Sequence, residues 1–451
     1  MQKLESNNPP QQVGLFSSYC PKEIFSRSAA GSATQQEFLQ RVLSLAACLP
    51  DQRYLINLCR DRYYFAVAFC ATLVKRSTNL LPPNKQPDVL INLASKYRVA
   101  CCLVDDGISS DGIDCIDIRE VKDSRCKKPP AYMPMIHADH VAAVVFTSGS
   151  TGEPTAIEKQ WRTLTGTAHL LSMQLCDALK RTPSIIATVP AQHMYGLEMS
   201  IMMPLHSKSI MVSTHPFFPH EVADSLANTP EPRCLVTTPV HMRAILESGM
   251  KMPPVNKVIS ATAPLSNEIA KQLEQLLSGS VEEIYGCTEA GSLATRRTTL
   301  EDEWHMLPGM ELSMEQGQVF VSGEHLPEKT KLHDRIEIID ERTFRFLGRS
   351  SDLVNVAGKR ASLADLTHKL LCIEGIEDAI VFLPEEQGRE AQRLAALVVS
   401  DLSDYEICRR LVRKIDPVFV PRPMRKVACL PRNEMGKISF GLAQEMLKTI
   451  S

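Results

Sequence analysis

Apolar residues recur at helical spacing through "QQEFLQRVLSLAACL" (35–49), and "YLINLC" (54–59) behind it is a short apolar run of strand length. The alternation then repeats. "YYFAVAFCATLVKRS" predicts a second helix, "NLLPPN" a turn, "PDVLINLASKY" a third helix and "ACCLVDD" another strand. Strand, helix, strand in that order predicts a parallel sheet covered by helices. Further along, "SIIATVP", "CLVTTP" and "KVISATAPL" read as strands, while "EVADSLANT", "VHMRAILES" and "NEIAKQLEQLL" read as helices. Each of these strands runs into Pro, Ser or Thr. In such sheets, ligands bind at the carboxyl ends of the strands.

From about residue 310 the pattern changes to "QVFVSG", "RIEIID" and "TFRFLG", short alternating strands with tight turns that predict a small antiparallel sheet. Beyond "GRSSD" lies a tail of roughly 100 residues, long enough for a lobe of its own. The predicted class is therefore α/β: a large N-terminal domain over 1–347 and a small α+β C-terminal domain over 353–451, with the boundary at 348–352. The Ser/Asn/Gln/Pro-rich lead is expected to be frayed until about residue 35.

Composition narrows the function classes. The 50 Lys and Arg against 52 Asp and Glu leave a formal net charge of -2, and basic residues are scattered, so no nucleic-acid partner is expected. The 14 cysteines include no C-x-x-C pair, and the adjacent Cys101 and Cys102 sit in an apolar run. Reduced, buried thiols and a cytoplasmic location are the resulting expectations. No targeting segment and no membrane span are expected, because no apolar run approaches the required length of about 18 residues.

Candidate chemistry begins at "VVFTSGSTGEP". Thr147, Ser148, Gly149, Ser150, Thr151 and Gly152 supply four hydroxyls and two glycines, a composition suited either to a phosphate cradle or to an ordinary surface turn. It is not a P-loop, because neither "VAGKR" nor "EMGKI" has the required upstream glycine and following hydroxyl.

Other stretches separate the two readings. "TSGSTGEP", "VPAQHMYGLE", "SATAPLS", "EIYGCTEAG", "LHDRIEI", "FLGRSSDLVNVAGKR" and "PRNEMGKIS" come in that order across 147–439, and together they resemble the adenylate-forming superfamily of acyl- and aryl-CoA synthetases, adenylation domains and luciferases. The resemblance implies that a carboxylic acid attacks the α-phosphate of ATP, giving an acyl-adenylate and pyrophosphate, and that a thiol then displaces AMP. It implies ATP and Mg²⁺ as cofactors. It assigns Thr147 to Gly152 to the β- and γ-phosphates, and Ala263, Tyr285 and Gly286 to the nucleotide. Thr288 falls to phosphate, Glu289 to Mg²⁺, and Asp334 with Arg349 to the ribose. Lys437 is the expected catalytic lysine at the α-phosphate, carried on a small lobe that swings about a hinge at 348–352. Two positions depart from the superfamily pattern: Thr155 stands where lysine is common, with Lys159 four residues later, and Ser351 stands at the hinge position.

For the acid, the resemblance puts His193, Met194, Ser260, Ala261, Thr262, Gly286 and Cys287 around the pocket, with His193 also at the entry of the thiol. Amino-acid-activating relatives carry an aspartate where Met194 stands, so a plain aryl or acyl carboxylate is expected rather than an α-amino acid. The compact chain is similar to ligases of aryl-polyene pigment pathways, which implies a hydroxybenzoate-like acid passed to an acyl carrier protein. Two alternatives stay open: a CoA ligase for a short or medium acyl chain and a non-catalytic nucleotide sensor of the same fold; the basic stretch "RKIDPVFVPRPMRK" suits the phosphate of CoA and an acidic carrier protein equally and does not separate the acceptors.

Overall fold

The computed structural model describes all residues except 1–10, 100, 108–112, 122–131, 148–154, 177–178, 180, 264, 350–352, 357–358, 385–392, 433–437, 439 and 450–451. The chain divides into two compact units, one of Met1–Glu311 with Ser322–Thr330, the other of Leu312–Val321 with Lys331–Ser451.

Two large sheets build most of the first unit, beside a small antiparallel pair, Gln12–Gly14 with Met135–His137. One orders its strands Thr155–Gln160, Val141–Thr147, Thr78–Leu81, Tyr54–Asn57, Cys101–Val104, Asp114–Asp117, all parallel except the first, which folds back on Val141–Thr147 as a hairpin. The second has a parallel centre, in the order Ser280–Cys287, Lys257–Ser260, Arg233–Thr237, Ser184–Ala187, Ile210–Val212, Ile24–Ser28. Antiparallel strands flank that centre: Gly31–Thr34 on one side, Gly291–Arg296 and Trp304–Met306 on the other. The α/β class expected from the alternation is the class observed.

Helix Arg62–Val74 is buried from Phe65 through Leu73, as its nearly uninterrupted apolar sequence requires. The Asp61 side chain caps it by accepting from the backbone N–H of Tyr63 and Tyr64. Arg62 at its start is fully buried and donates from Nη2 to the carbonyls of Ala187 at 2.5 Å and Val189 at 2.6 Å. A guanidinium thus ties this helix to the second sheet, and burial lowers its pKa to about 10.

Two expectations fail here. The lead is ordered well before residue 35: Gln12–Gly14, Ile24–Ser28 and Gly31–Thr34 are strands, and Leu15, Phe16 and Phe25 are buried. The cause is aromatic packing that polar neighbours concealed, with the Phe25 ring 4.1 Å from that of Phe38 and tilted 40° to it, and Phe16 edge-on to both. The expected turn "NLLPPN" begins instead as strand Thr78–Leu81, buried throughout because it lies between two other strands. The prolines that suggested a turn come only after it.

In the second unit, hairpin Asp334–Asp340/Thr343–Arg349 precedes hairpin Leu353–Val356/Lys359–Ser362. A three-stranded sheet comes next, Ile376–Phe382, Ala395–Ser400 and Met424–Lys426. Helices Leu363–Leu371 and Asp404–Leu411 bury Leu366, Leu370, Ile407 and Leu411 against Val381, Ala396 and Val398. Among the described residues, no helix is long and apolar enough to cross a membrane.

Candidate active site

The carboxyl ends of the parallel strands in the second sheet are lined by hydroxyls. Thr188, Thr237, Thr238 and Ser260 are all fully buried. Most are satisfied within the protein: Thr188 Oγ1 donates to Thr237 Oγ1 at 2.9 Å, and His241 Nδ1 lies 3.2 Å from Thr188 Oγ1 and 3.0 Å from Thr238 Oγ1. Burial lowers the His241 pKa to about 4, so the ring is neutral. Ser260 differs, because its buried hydroxyl has no partner among the described residues. Beyond it the loop carries Ala261, Thr262 and Ala263, and Thr262 holds φ at +82°, a rare conformation for a β-branched residue.

Ser260 pairs in register with Glu283, so this loop leaves the sheet beside the next strand, Ser280–Cys287. Thr288, Glu289 and Ala290 form the three-residue turn that joins this strand to Gly291–Arg296. Such a connection is closed by a residue at positive φ, here Gly291 at +85°. A Cβ on Gly291 would come within 2.4 Å of Glu198 Oε1, and one on Gly286 within 2.3 Å of the Gly291 carbonyl, so both positions require glycine. The turn presents the Glu289 side chain to solvent and leaves Thr288 half-buried. Tyr285, just before it, is buried with its ring 5.7 Å from Trp304, which in turn stacks on the Arg296 guanidinium at 4.6 Å.

Two buried charged side chains reach this turn from other elements. Lys159, 1 % exposed in strand Thr155–Gln160, donates from Nζ to the Glu289 carbonyl at 2.6 Å. Glu198, also 1 % exposed, accepts from Ser292 Oγ at 2.6 Å and from Ser292 N–H at 3.2 Å. It opens a π turn, Glu198–Met202, within the helix over 194–206. Turns of this kind recur at functional sites. Burial raises the Glu198 pKa to about 7, against the opposing pull of its Ser292 hydrogen bonds and the Lys159 ammonium. Burial likewise lowers the Lys159 pKa, with the Glu198 carboxylate opposing. Burial pushes the Cys287 thiol up to about 12, which disfavours its thiolate.

Several expected site residues therefore meet at one edge: Met194, whose Cε lies 3.5 Å from where a Gly291 Cβ would stand, and the Tyr285–Glu289 segment beside the Ser260–Ala263 loop. His193 is half-buried at the start of the same helix. Thr147 ends the strand paired with Thr155, while Ser148 to Gly152 lie outside the described residues. In the second unit, Asp334 stands opposite Arg349 in the hairpin register. Lys437 and Ser351 lie outside the described residues, but Arg432 of the lysine's motif makes a two-bond ion pair with Asp378, at 3.0 and 2.7 Å.

Sequence reasoning missed Lys159, Glu198 and Trp304 as supports. Glu198 did carry a signal: it is the lone charge in "MYGLEMSIMMPL", and a charge inside a buried run must find a partner.

No group of three or more His, Cys, Asp or Glu side chains able to hold a metal ion exists among the described residues. Glu289 alone, at an exposed turn, matches the way Mg²⁺ is usually held, by one or two carboxylates together with substrate phosphates and water.

Sheet order, the hydroxyl-lined strand ends and the turn at 288–290 define an α/β fold of the class that binds ligands at the carboxyl ends of its strands. The family of AMP-binding enzymes matches residues 32–325, and the chain belongs to it. A 4-coumarate–CoA ligase from Halorhodospira halophila is 29% identical over 310 residues, covering 67% of this chain and 76% of that protein. A 3,4-dihydroxybenzoate–[aryl-carrier protein] ligase from Bacillus anthracis is 24% identical over 321 residues, covering 68% and 74%. In structure, the o-succinylbenzoate CoA synthetase of Bacillus subtilis, solved with its acyl-adenylate intermediate, matches with a TM-score of 0.80 at 16% identity over 97% of this chain and 98% of that one. The fold is thus that of the adenylate-forming, AMP-forming acid–thiol ligases.

Proposed function

We propose that this chain activates an aryl carboxylic acid with ATP and transfers the acyl group to the thiol of an acyl carrier protein in the cytoplasm. The observation that carries the reading is the Thr288–Glu289 turn, held beside Met194 at the carboxyl edge of the sheet. An apolar side chain at 194 offers no partner to an α-amino group, which favours a plain acid. Two relatives act on aryl acids by name, one with a carrier protein and one with CoA.

In this reading Thr147 to Gly152 grip the β- and γ-phosphates while Tyr285, Gly286 and Ala263 hold the adenine end. Glu289 would hold Mg²⁺, whose chemistry is to neutralise the triphosphate. The acid's carboxylate attacks the α-phosphorus, pyrophosphate leaves, and the thiol then takes the acyl group and releases AMP. Ser260, whose hydroxyl has no partner among the described residues, and Ala261, Thr262, His193 and Cys287 line the acid's side. From the second unit the reading takes Asp334 and Arg349 for the ribose and Lys437 for charge at the α-phosphate, with 348–352 as the hinge.

The test is acid-dependent exchange of labelled pyrophosphate into ATP over hydroxybenzoates, cinnamates and fatty acids. Exchange with one aryl class, reduced about 100-fold or more by Lys437→Ala, is the expected result. A non-catalytic sensor would bind ATP without exchange. CoA is the second reading for the acceptor, favoured by the CoA-ligase relative, and single-turnover transfer to each thiol separates the two.

A further inference from the structure

Resting on the adenylation reading, we propose that Lys159 and Glu198 are positioning residues, which together set the Thr288–Glu289 turn in the geometry that ATP and its cation require. Lys159 grips the turn at the Glu289 carbonyl, and Glu198 grips the strand just beyond it at Ser292. Neither belongs to the hairpin they hold. Lys159 comes from the strand that folds back on Val141–Thr147, so it links the expected phosphate loop to the turn that carries the expected cation ligand. Glu198 comes from the helix that begins at Met194, so it links the same turn to the acid's side. One pair thereby fixes the turn relative to both substrates.

The expense of the arrangement supports this. Burying two ionisable side chains carries a large desolvation cost, and an exposed surface turn can be held by ordinary backbone bonds. Glycine at 291 is a second concession to the same contact, since any Cβ there would displace the Glu198 carboxylate. Nor does Lys159 stand in for the lysine that Thr155 replaces: it is committed to Glu289 from inside the protein and takes no direct part in gripping phosphate.

The decisive variant is the double replacement Lys159→Met/Glu198→Met, which removes both tethers and leaves no uncompensated buried charge, so that folding is preserved even where a single replacement fails. We expect its unfolding midpoint to stay near wild type while kcat for pyrophosphate exchange falls about 10- to 100-fold, the cost of a misplaced reacting group. Amide hydrogen exchange at 288–292 should accelerate, with amides 281–284 of the same hairpin unchanged. A double variant with wild-type kcat, or with unaltered protection at 288–292, overturns the proposal. If wild type itself exchanges no pyrophosphate with any acid, the adenylation reading falls instead. Hydrogen exchange at the turn then decides the positioning role alone: acceleration supports it and no change overturns it.

Discussion

The two ends of one hairpin, Ser280–Cys287/Gly291–Arg296, are held by opposite means. At its base Glu283 is buried in direct contact with everything that balances it: Arg296 Nε at 2.8 Å and Nη2 at 2.6 Å, Thr298 Oγ1 at 2.5 Å and the Leu265 N–H at 3.1 Å. At its apex the charged groups come from elsewhere in the chain, and Lys159 and Glu198 grip backbone and a hydroxyl instead of each other. The base is self-contained scaffold, with charge, counter-charge and hydrogen bonds supplied locally. The apex depends on distant segments, so its geometry is set by contacts that span the fold.

The same chemical change six residues apart should divide the ends most sharply. Glu283→Gln breaks a buried ion pair and is expected to cost about 3–5 kcal/mol of stability, read as a lower denaturation midpoint, while the molecules that remain folded exchange pyrophosphate at the wild-type rate. Glu289→Gln, at an exposed position, should leave the midpoint within about 0.5 kcal/mol and reduce exchange about 100-fold. Equal losses of stability in both variants would erase the distinction.

A third carboxyl sharpens the contrast through pH. The Glu198 pKa is raised by burial to about 7, so between the unfolded carboxyl range and pH 7 the folded protein binds the proton that the unfolded chain releases. Its contribution is full below about pH 4.3 and is lost as pH rises through 7, a swing on the order of 3 kcal/mol. Glu198→Gln keeps acceptors for Ser292 without a titrating group. Wild type should therefore lose stability relative to Glu198→Gln between pH 5 and 8. Taking the difference between the two proteins cancels the buried histidines, His206, His215, His241 and His325, which burial keeps neutral and which act in the opposite direction, weakening the fold as pH falls below about 6.5.

How much of this was legible in the sequence divides along the same line. The parallel sheets were readable because buried strands are apolar runs and their covering helices have a clear period, as "KVIS" before "NEIAKQLEQLL" illustrates. The Tyr285–Glu289 stretch was readable as a motif. The supports beneath it were not, since Lys159 lies 130 positions from the carbonyl it holds and Glu198 lies 94 from Ser292, distances over which neither periodicity nor spacing carries information. The order of the lead is hidden in the sequence for a related reason: Phe16 and Phe25 sit among polar residues, and only the later helix bearing Phe38 gives them something to bury against.

The smallest expected effect lies in the loop that ends at the base. Its two ends are fixed, Ser260 in the sheet register opposite Glu283 and Leu265 by its N–H to the Glu283 carboxylate. A segment anchored on both sides can hold Thr262 at φ +82°, which costs a β-branched residue roughly 1–3 kcal/mol. Asparagine tolerates that region and retains polar groups, so Thr262→Asn should raise stability by about 1 kcal/mol in denaturant unfolding. Thr262→Val keeps the branched shape and the strain while deleting the hydroxyl, and should not be stabilised. If the strain serves the acid pocket, the asparagine variant should also exchange pyrophosphate a few-fold more slowly, because relaxing the loop moves Ala261 and Ala263 along with it. A stabilised variant with unchanged exchange would assign the strain to the base, as a by-product of anchoring the loop at Glu283, and not to the apex where the chemistry is proposed.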